Sequence, residues 1–264
     1  MLRACARLHL AACKNPAVSR LACLAVGTTC FLLAVLPMVY FAGFLANLGV
    51  PKGVDSGPGA QAGAALAVDL ALVLSFGVVH SLLARRAGKA WMSRLVPQAL
   101  TRAVYSGVAG AQILALVVFW RPLPGVVWSL ASPLARGLVW LLFALAWGVV
   151  LWALWAVDAT RLFGLRPAWA AARGRLDAPP EVTVRGPYRH LRHPLYGATI
   201  VALFAAPEMS HGRLLLATLL TAYILVGVRL EERDLARELG ESYLAYRRAV
   251  PGFLPWPRRR GAAG

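Results

Sequence analysis

Six stretches of this chain are long and apolar enough to constrain everything else about it. A helix needs ~20 mostly apolar residues to cross the hydrocarbon of a bilayer. The segments at about 21–49, 62–84, 103–120, 137–157, 195–207 and 212–230 meet or approach that length. Hydrocarbon offers no water to backbone N–H and C=O groups, so such runs must satisfy themselves as helices. The expected fold is all-α: a polytopic integral membrane protein of about six transmembrane helices. The fifth segment is short and runs into Pro207. It is either tilted or paired with the sixth in a hairpin that barely crosses, and five spans are the alternative count.

With 59% apolar residues, the chain is too greasy for an ordinary soluble domain, yet its formal charge is +17. A basic surface is the usual footprint of phosphate binding and raises nucleic acid as a partner. The placement of the charges excludes it. Counted by alternate segments, 24 of the 28 Lys and Arg residues fall on one side, from Arg3 to Arg20, Arg85 to Arg102, Arg161 to Arg192 and Arg229 to Arg260. Only Lys52, Arg121, Arg136 and Arg213 fall on the other. This is the positive-inside pattern, and it implies an even number of spans with cytoplasmic N- and C-termini. Attraction to anionic membrane lipid comes with it.

The chain divides by composition into a basic N-terminal tail (1–20), four membrane helices (21–157) and a C-terminal region (158–264) that holds most of the polar chemistry. Cys5, Cys13, Cys23 and Cys30 all lie at or before the first helix and form no CxxC, so neither a disulfide framework nor a zinc site is expected. The Gly- and Pro-rich stretch GVPKGVDSGPGAQAG fits no phosphate-binding spacing and reads as a loop. Trp120 and Trp128, in the turn WRPLPGVVW, sit where an aromatic belt belongs.

Ionisable side chains inside membrane segments are costly and mark candidate sites. His80 lies near the cytoplasmic end of the second helix, His193 opens the fifth, and Glu231 with Glu232 closes the sixth. All four groups are expected at one depth. Asp69, toward the outer half of its helix, reads as a structural polar contact. In RGPYRHLRHPLYGA (185–198), Pro187 and Pro194 fix their own φ and push Gly186 and His193 toward extended geometry. Pro194 suits the first turn of a helix. The free N–H groups of that turn, with Arg189 and Arg192, could receive an anion, or the arginines could simply anchor the helix at the interface. The tail LEERDLARELGESYLAYRRAVPGFLPWP adds acceptors in Glu231 and Glu232, and the rings of Tyr243 and Tyr246 on one helical face. Rings of this kind can hold a cation. An anion site, acceptors and aromatic rings together suit an amino-acid carboxylate, a ribose, an adenine and a sulfonium.

Residues 185–257 resemble the isoprenylcysteine carboxyl methyltransferase and phospholipid methyltransferase superfamily of membrane enzymes, on GPYRHLRHPLY, LEERDL and GESYLAYRRAVPGFLP. Upstream, GFLANLGVPKGVDSG, HSLLAR, RLVP, WRPLPGVVW and LFGLRPAW are similar to the bacterial methanethiol S-methyltransferases. That resemblance implies S-adenosyl-L-methionine as the cofactor, bound without a soluble Rossmann domain. It also implies a small thiol as substrate and the bacterial inner membrane as location. The cofactor-binding residues it implies are Tyr188, Arg192, His193, Pro194, Tyr196, Gly197, Glu231, Glu232, Tyr243, Tyr246 and Arg247, with no metal. Methyl transfer from a sulfonium needs positioning and a dry site more than strong acid or base groups. A thiol must still lose its proton, and His193 and His80 are the candidate catalytic bases. A lipid amine or isoprenylcysteine carboxylate as acceptor would share every cofactor residue. A non-enzymatic role in a denitrification-associated membrane protein is a further alternative. Oligomeric state leaves no trace in the sequence.

Overall fold

The computed structural model of the chain describes residues 16–175, 177 and 184–253, with side chains from Arg20 onward. The basic tail expected over 1–20, and Cys5 and Cys13 within it, lie outside the described residues apart from the helical backbone that begins at Pro16. Ten α-helices and two short strands are described: α1 (Pro16–Ala46), α2 (Ala62–Ala84), α3 (Arg86–Leu95), α4 (Gln98–Phe119), β1 (Val126–Ser129), α5 (Pro133–Ala156), α6 (Ala159–Leu162), α7 (Leu165–Ala172), α8 (Pro194–Phe204), β2 (Glu208–Ser210), α9 (His211–Leu239) and α10 (Glu241–Ala249). A 3₁₀ turn at Gly186–Arg189 precedes α8. Five helices, α1, α2, α4, α5 and α9, are long and apolar enough to cross a membrane. Their outward faces stay apolar, as at Leu138, Leu145 and Leu151 on α5, so lipid is the solvent they are built for. The protein is a multi-pass membrane protein.

The chain forms two compact units, 1–123 with 158–179, and 124–157 with 180–264. In the first, α1 packs on α4, and the backbones approach closely because Gly107 and Gly110 lie against Cys30, Leu33 and Ala34 of α1. A side chain at Gly110 would run into the Leu33 carbonyl. α2 also packs on α4, and α7 on α1. Phe44 and Trp120 are fully buried and meet edge to face at 6.4 Å, so Trp120 is a core residue and not part of an aromatic belt. Asp69 is buried and accepts a 2.9 Å hydrogen bond from the Arg121 backbone N–H. Lys52 Nζ donates to the Trp120 carbonyl at 2.8 Å. The expected structural role of Asp69 is met: it ties the end of α4 to α2.

In the second unit α8 packs along α5, and β1 pairs antiparallel with β2 in the register Val126↔Ser210 and Ser129↔Glu208. This ribbon replaces part of the loop expected around WRPLPGVVW. The 3₁₀ turn sits at the other end of α5, where Gly186 lies against Trp152 and Ala156. The chain therefore travels from one end of α5 to the other between residues 186 and 210. α8 has only 11 residues, about 16 Å at 1.5 Å per residue. The extended Ala205–Ser210 segment supplies the rest. Its carbonyls would be costly in lipid, and each of the first three has a donor. Arg213 Nη2 donates to Ala205 (3.1 Å), Trp128 Nε1 to Ala206 (3.0 Å), and the Leu130 N–H to Pro207 (2.9 Å). The short fifth segment is thus a helix and strand in series, and α8 also packs on α9, the helix that follows. Arg213, counted above as an outer loop charge, is buried in this arrangement.

Candidate functional site

The polar cluster of the second unit lies where the start of α8, the C-terminal part of α9, and α10 with the residues after it converge. Gly186 adopts φ +53°, a region that glycine enters without strain, and this turns the chain into the 3₁₀ turn. Pro194 then opens α8 at its first position. The His193 and Arg192 backbone N–H groups are not left for a ligand. They donate to the carbonyls of Gly252 (3.2 Å) and Pro251 (2.8 Å), so the segment after α10 is stitched to the turn before α8.

Glu232 is the hub. Its Oε1 accepts from Arg192 Nη2 at 2.7 Å, from Arg192 Nε at 2.9 Å and from His193 Nε2 at 2.9 Å, while its Oε2 lies 3.5 Å from Arg247 Nε. Arg192 and His193 retain 8% and 6% side-chain exposure, and Glu232 13%. The remaining Arg192 nitrogen, Nη1, donates to the carbonyls of Arg247 (3.0 Å) and Val250. The Arg192 guanidinium is fully occupied by protein, and it acts as a clamp between α9 and the segment after α10. The next carboxylate along, Glu231, takes a different partner, the phenol of Tyr196, and keeps an exposed face.

Aromatic rings complete the cluster. His193 lies 6.0 Å from Tyr196 and 5.5 Å from Phe253, ring centre to ring centre. Tyr243 and Tyr246 are neighbours at 6.2 Å. Tyr246 donates to the Tyr188 carbonyl at 2.8 Å. Burial pushes the phenols of Tyr188 and Tyr246 up to about 12, with the Glu231 charge adding to the effect on Tyr188, so both are donors at neutral pH and not bases. The Tyr243 phenol is raised too, by burial and then by the Glu232 charge. Tyr243 is 2% exposed, and its hydroxyl has no hydrogen-bond partner among the described residues. A buried donor without a partner is costly, and it marks a place for a ligand atom. Gly197 faces Phe253, with room for a Cβ at 3.6 Å.

The second unit thus brings together Tyr188, Arg192, His193, Pro194, Tyr196, Gly197, Glu231, Glu232, Tyr243, Tyr246 and Arg247. His80 belongs to the first unit. There its Nε2 lies 2.6 Å from the Tyr105 hydroxyl, and its ring stacks on Phe76 at 5.2 Å. The sequence reading passed over Tyr105, Phe253 and the carbonyls of Pro251 and Gly252. The VPGF stretch carried a weak signal for the last three, since a proline and a glycine straight after a basic helix end mark a shaped turn. Among the described residues no group of His, Cys, Asp and Glu could hold a metal ion.

A cleft of about 270 Å³ opens beside Glu232, lined also by Arg229, Arg233 and Arg247. Carboxylates suited to hydroxyl or amine donors, buried rings, and one unmatched buried hydroxyl are a donor set that fits an aminoacyl nucleoside cofactor.

No family model and no solved structure matches the chain. Among proteins of known name, it is 40% identical over 237 residues to the methanethiol S-methyltransferase of a Pseudomonas species, covering 89% of this chain and 91% of that one. It is 38% identical over 233 residues to the methanethiol S-methyltransferase of Mycobacterium tuberculosis, covering 88% of this chain and 96% of that one. More distantly it is similar to pig Nurim, 33% identical over 181 residues and covering 64% of this chain. Identity at this level, sustained along nearly the whole of both bacterial relatives, carries one conclusion: the chain belongs to the methanethiol S-methyltransferase family.

Proposed function

We propose that this protein is an S-adenosyl-L-methionine-dependent methyltransferase of the bacterial inner membrane that converts methanethiol to dimethyl sulfide. The observation that carries the proposal is the likeness to enzymes of that name along nine-tenths of the chain. The cluster around Glu232 supplies the matching chemistry. Its cytoplasmic placement, and that of both termini, is supported by the 24 of 28 basic residues that fall in alternate segments on one side.

S-adenosyl-L-methionine supplies a methyl group on a positively charged sulfur, an electrophile that needs no acid to activate it. Tyr196, Glu231, Tyr243 and Arg247 contact it, Tyr243 through its unmatched hydroxyl. Tyr188, Pro194, Gly197 and Tyr246 shape the wall, and Arg192 positions Glu232 without touching the ligand. His193 gives its Nε2 proton to Glu232 in a hydrogen bond, which fixes the tautomer and leaves Nδ1 to accept the thiol proton. The thiolate sulfur would then take the methyl group in line, its new S–C bond forming as the sulfonium's S–C bond breaks, with the demethylated cofactor leaving as a neutral thioether. Buried surroundings strengthen these contacts by excluding water. His80, held by Tyr105, is the second candidate base.

Cells expressing the gene and fed methanethiol should release dimethyl sulfide into the headspace, and cells carrying Glu232→Ala should release little, with both proteins present in the membrane fraction. No dimethyl sulfide from membranes that contain the intact protein and S-adenosyl-L-methionine would overturn the proposal. Wild-type turnover in both the Glu232→Ala and His80→Ala proteins would overturn the residue assignment alone.

A further inference from the structure

Phe253 stands where the polar cluster meets an apolar face, and the reaction described above gives it no task. The residues before it are fastened to the start of α8. The Arg192 and His193 backbone N–H groups donate to the Pro251 and Gly252 carbonyls, and Arg192 Nη1 donates to the Val250 carbonyl. The Phe253 ring is thereby mounted over the first turn of α8. Its centre lies 5.5 Å from that of His193, and its Cδ1 is the atom that a Cβ on Gly197 would meet, at 3.6 Å. Beyond Gly197 the same helical face continues through Ile200, Val201 and Phe204, at i+3, i+4 and i+7. Those three side chains, with Val139 and Leu142 of α5 among their neighbours, line an apolar groove of about 520 Å³. Along α8 the order is His193, then the Phe253 ring over Gly197, then the groove.

We propose, resting on the reading of this protein as a thiol methyltransferase with His193 as base, that Phe253 determines the size of the acceptor. A thiol that gives its proton to His193 Nδ1 holds its sulfur beside the imidazole, and a carbon chain running from there along α8 collides with the ring. A one-carbon thiol has no such chain. Removing the ring joins the surroundings of His193 to the groove, where Ile200, Val201 and Phe204 cover an alkyl chain, and burying each methylene there is favourable. The chemistry of transfer is unaltered: the longer thiol loses its proton to His193, its sulfur takes the methyl group as the sulfonium S–C bond breaks, and a longer methyl thioether leaves with the demethylated cofactor. A loosely held ring would swing aside, and the hydrogen bonds to the Val250, Pro251 and Gly252 carbonyls prevent this.

The test offers membranes containing the full-length protein equal amounts of methanethiol and butane-1-thiol together with S-adenosyl-L-methionine, and measures dimethyl sulfide and butyl methyl sulfide by gas chromatography. Competing substrates divide by the ratio of their kcat/KM values, so the product ratio does not depend on how much of each variant folds. The intact protein should favour methanethiol. Phe253→Ala should move the ratio toward butane-1-thiol by at least about tenfold, since one methylene alone is worth that much in an apolar pocket. Adding Val201→Trp, which fills the groove, should take the shift away, while Val201→Trp alone should keep the ratio of the intact protein. Phe253→Leu, a milder change should the alanine protein fail to fold, should shift the ratio part of the way. An unchanged ratio in either Phe253 variant would overturn the proposal, as would a shift that survives Val201→Trp or an intact protein that takes both thiols equally. A raised KM for S-adenosyl-L-methionine with the thiol ratio unchanged would assign the ring to the cofactor instead. No thioether from the intact protein would overturn the reaction itself, a result distinct from all of these, and the acceptor role would fall with it.

Discussion

Glu232 and Glu231 are adjacent in sequence but face different partners, because successive residues of a helix point about 100° apart. Glu232 receives both Arg192 and His193, and Glu231 receives Tyr196. Breaking one side of a buried charge pair leaves the other uncompensated, which costs about 3 kcal/mol or more. Arg192→Met should therefore lower the thermal midpoint of the purified protein sharply as well as its activity, whereas Glu231→Gln should leave the midpoint near wild type. Equal midpoints for the two variants would contradict the clamp. Tyr243 provides the opposite case. Its hydroxyl has no partner among the described residues, so Tyr243→Phe should leave the stability of the ligand-free protein unchanged or slightly raised. Binding of S-adenosyl-L-methionine by calorimetry should nonetheless weaken about tenfold, the value of one hydrogen bond of about 1.4 kcal/mol. Unchanged affinity would remove Tyr243 from the cofactor site.

At the scale of elements, α8 and β2 together run the length of α5 because side chains cap the carbonyls that the helix abandons. Trp128 is the donor to Ala206, and Trp128→Phe keeps an aromatic side chain, smaller than the indole, while deleting the N–H. The loss should cost about 1–2 kcal/mol, visible as a lowered thermal midpoint. A midpoint equal to wild type would mean that the indole N–H does not hold the extended segment. The turn leading into α6 makes a second case. Asp158, at φ +59°, accepts from Thr160 and Arg161 and pairs with Arg166 at 2.8 Å. The Thr160 hydroxyl, with smaller help from Arg166 and the Arg161 N–H, holds the carboxyl below its ordinary value. A depressed carboxyl stabilises the fold above its unfolded pKa of ~3.9 and loses that contribution as pH falls through the folded value. Protection of the Thr160 and Arg161 amides, measured as the exchange rate relative to the intrinsic rate at the same pH, should fall below about pH 4, and Asp158→Asn should flatten that response. A protection factor that does not change with pH in the wild type would contradict the cap.

For the whole molecule, the pattern of apolar runs and basic loops set the class of fold before any contact was known. Hydrocarbon permits only self-satisfied backbone, and the length of each run fixes whether it can cross. Both are local properties, so α1, α2, α4, α5 and α9 were legible from the chain, as was Asp69 as a polar tie. The turn RGPYRHLRHPLY and the LEERDL segment were legible as chemistry because their residue types are out of place in an apolar chain. What the chain alone did not decide was pairing. That Arg192 is spent on Glu232, that Trp120 is core while Trp128 caps a carbonyl, and that a helix of 11 residues and a strand together traverse the length of α5 are contacts between residues up to 78 positions apart. Burial and hydrogen-bond satisfaction are properties of such distant neighbours, and only the tertiary structure brings those neighbours together.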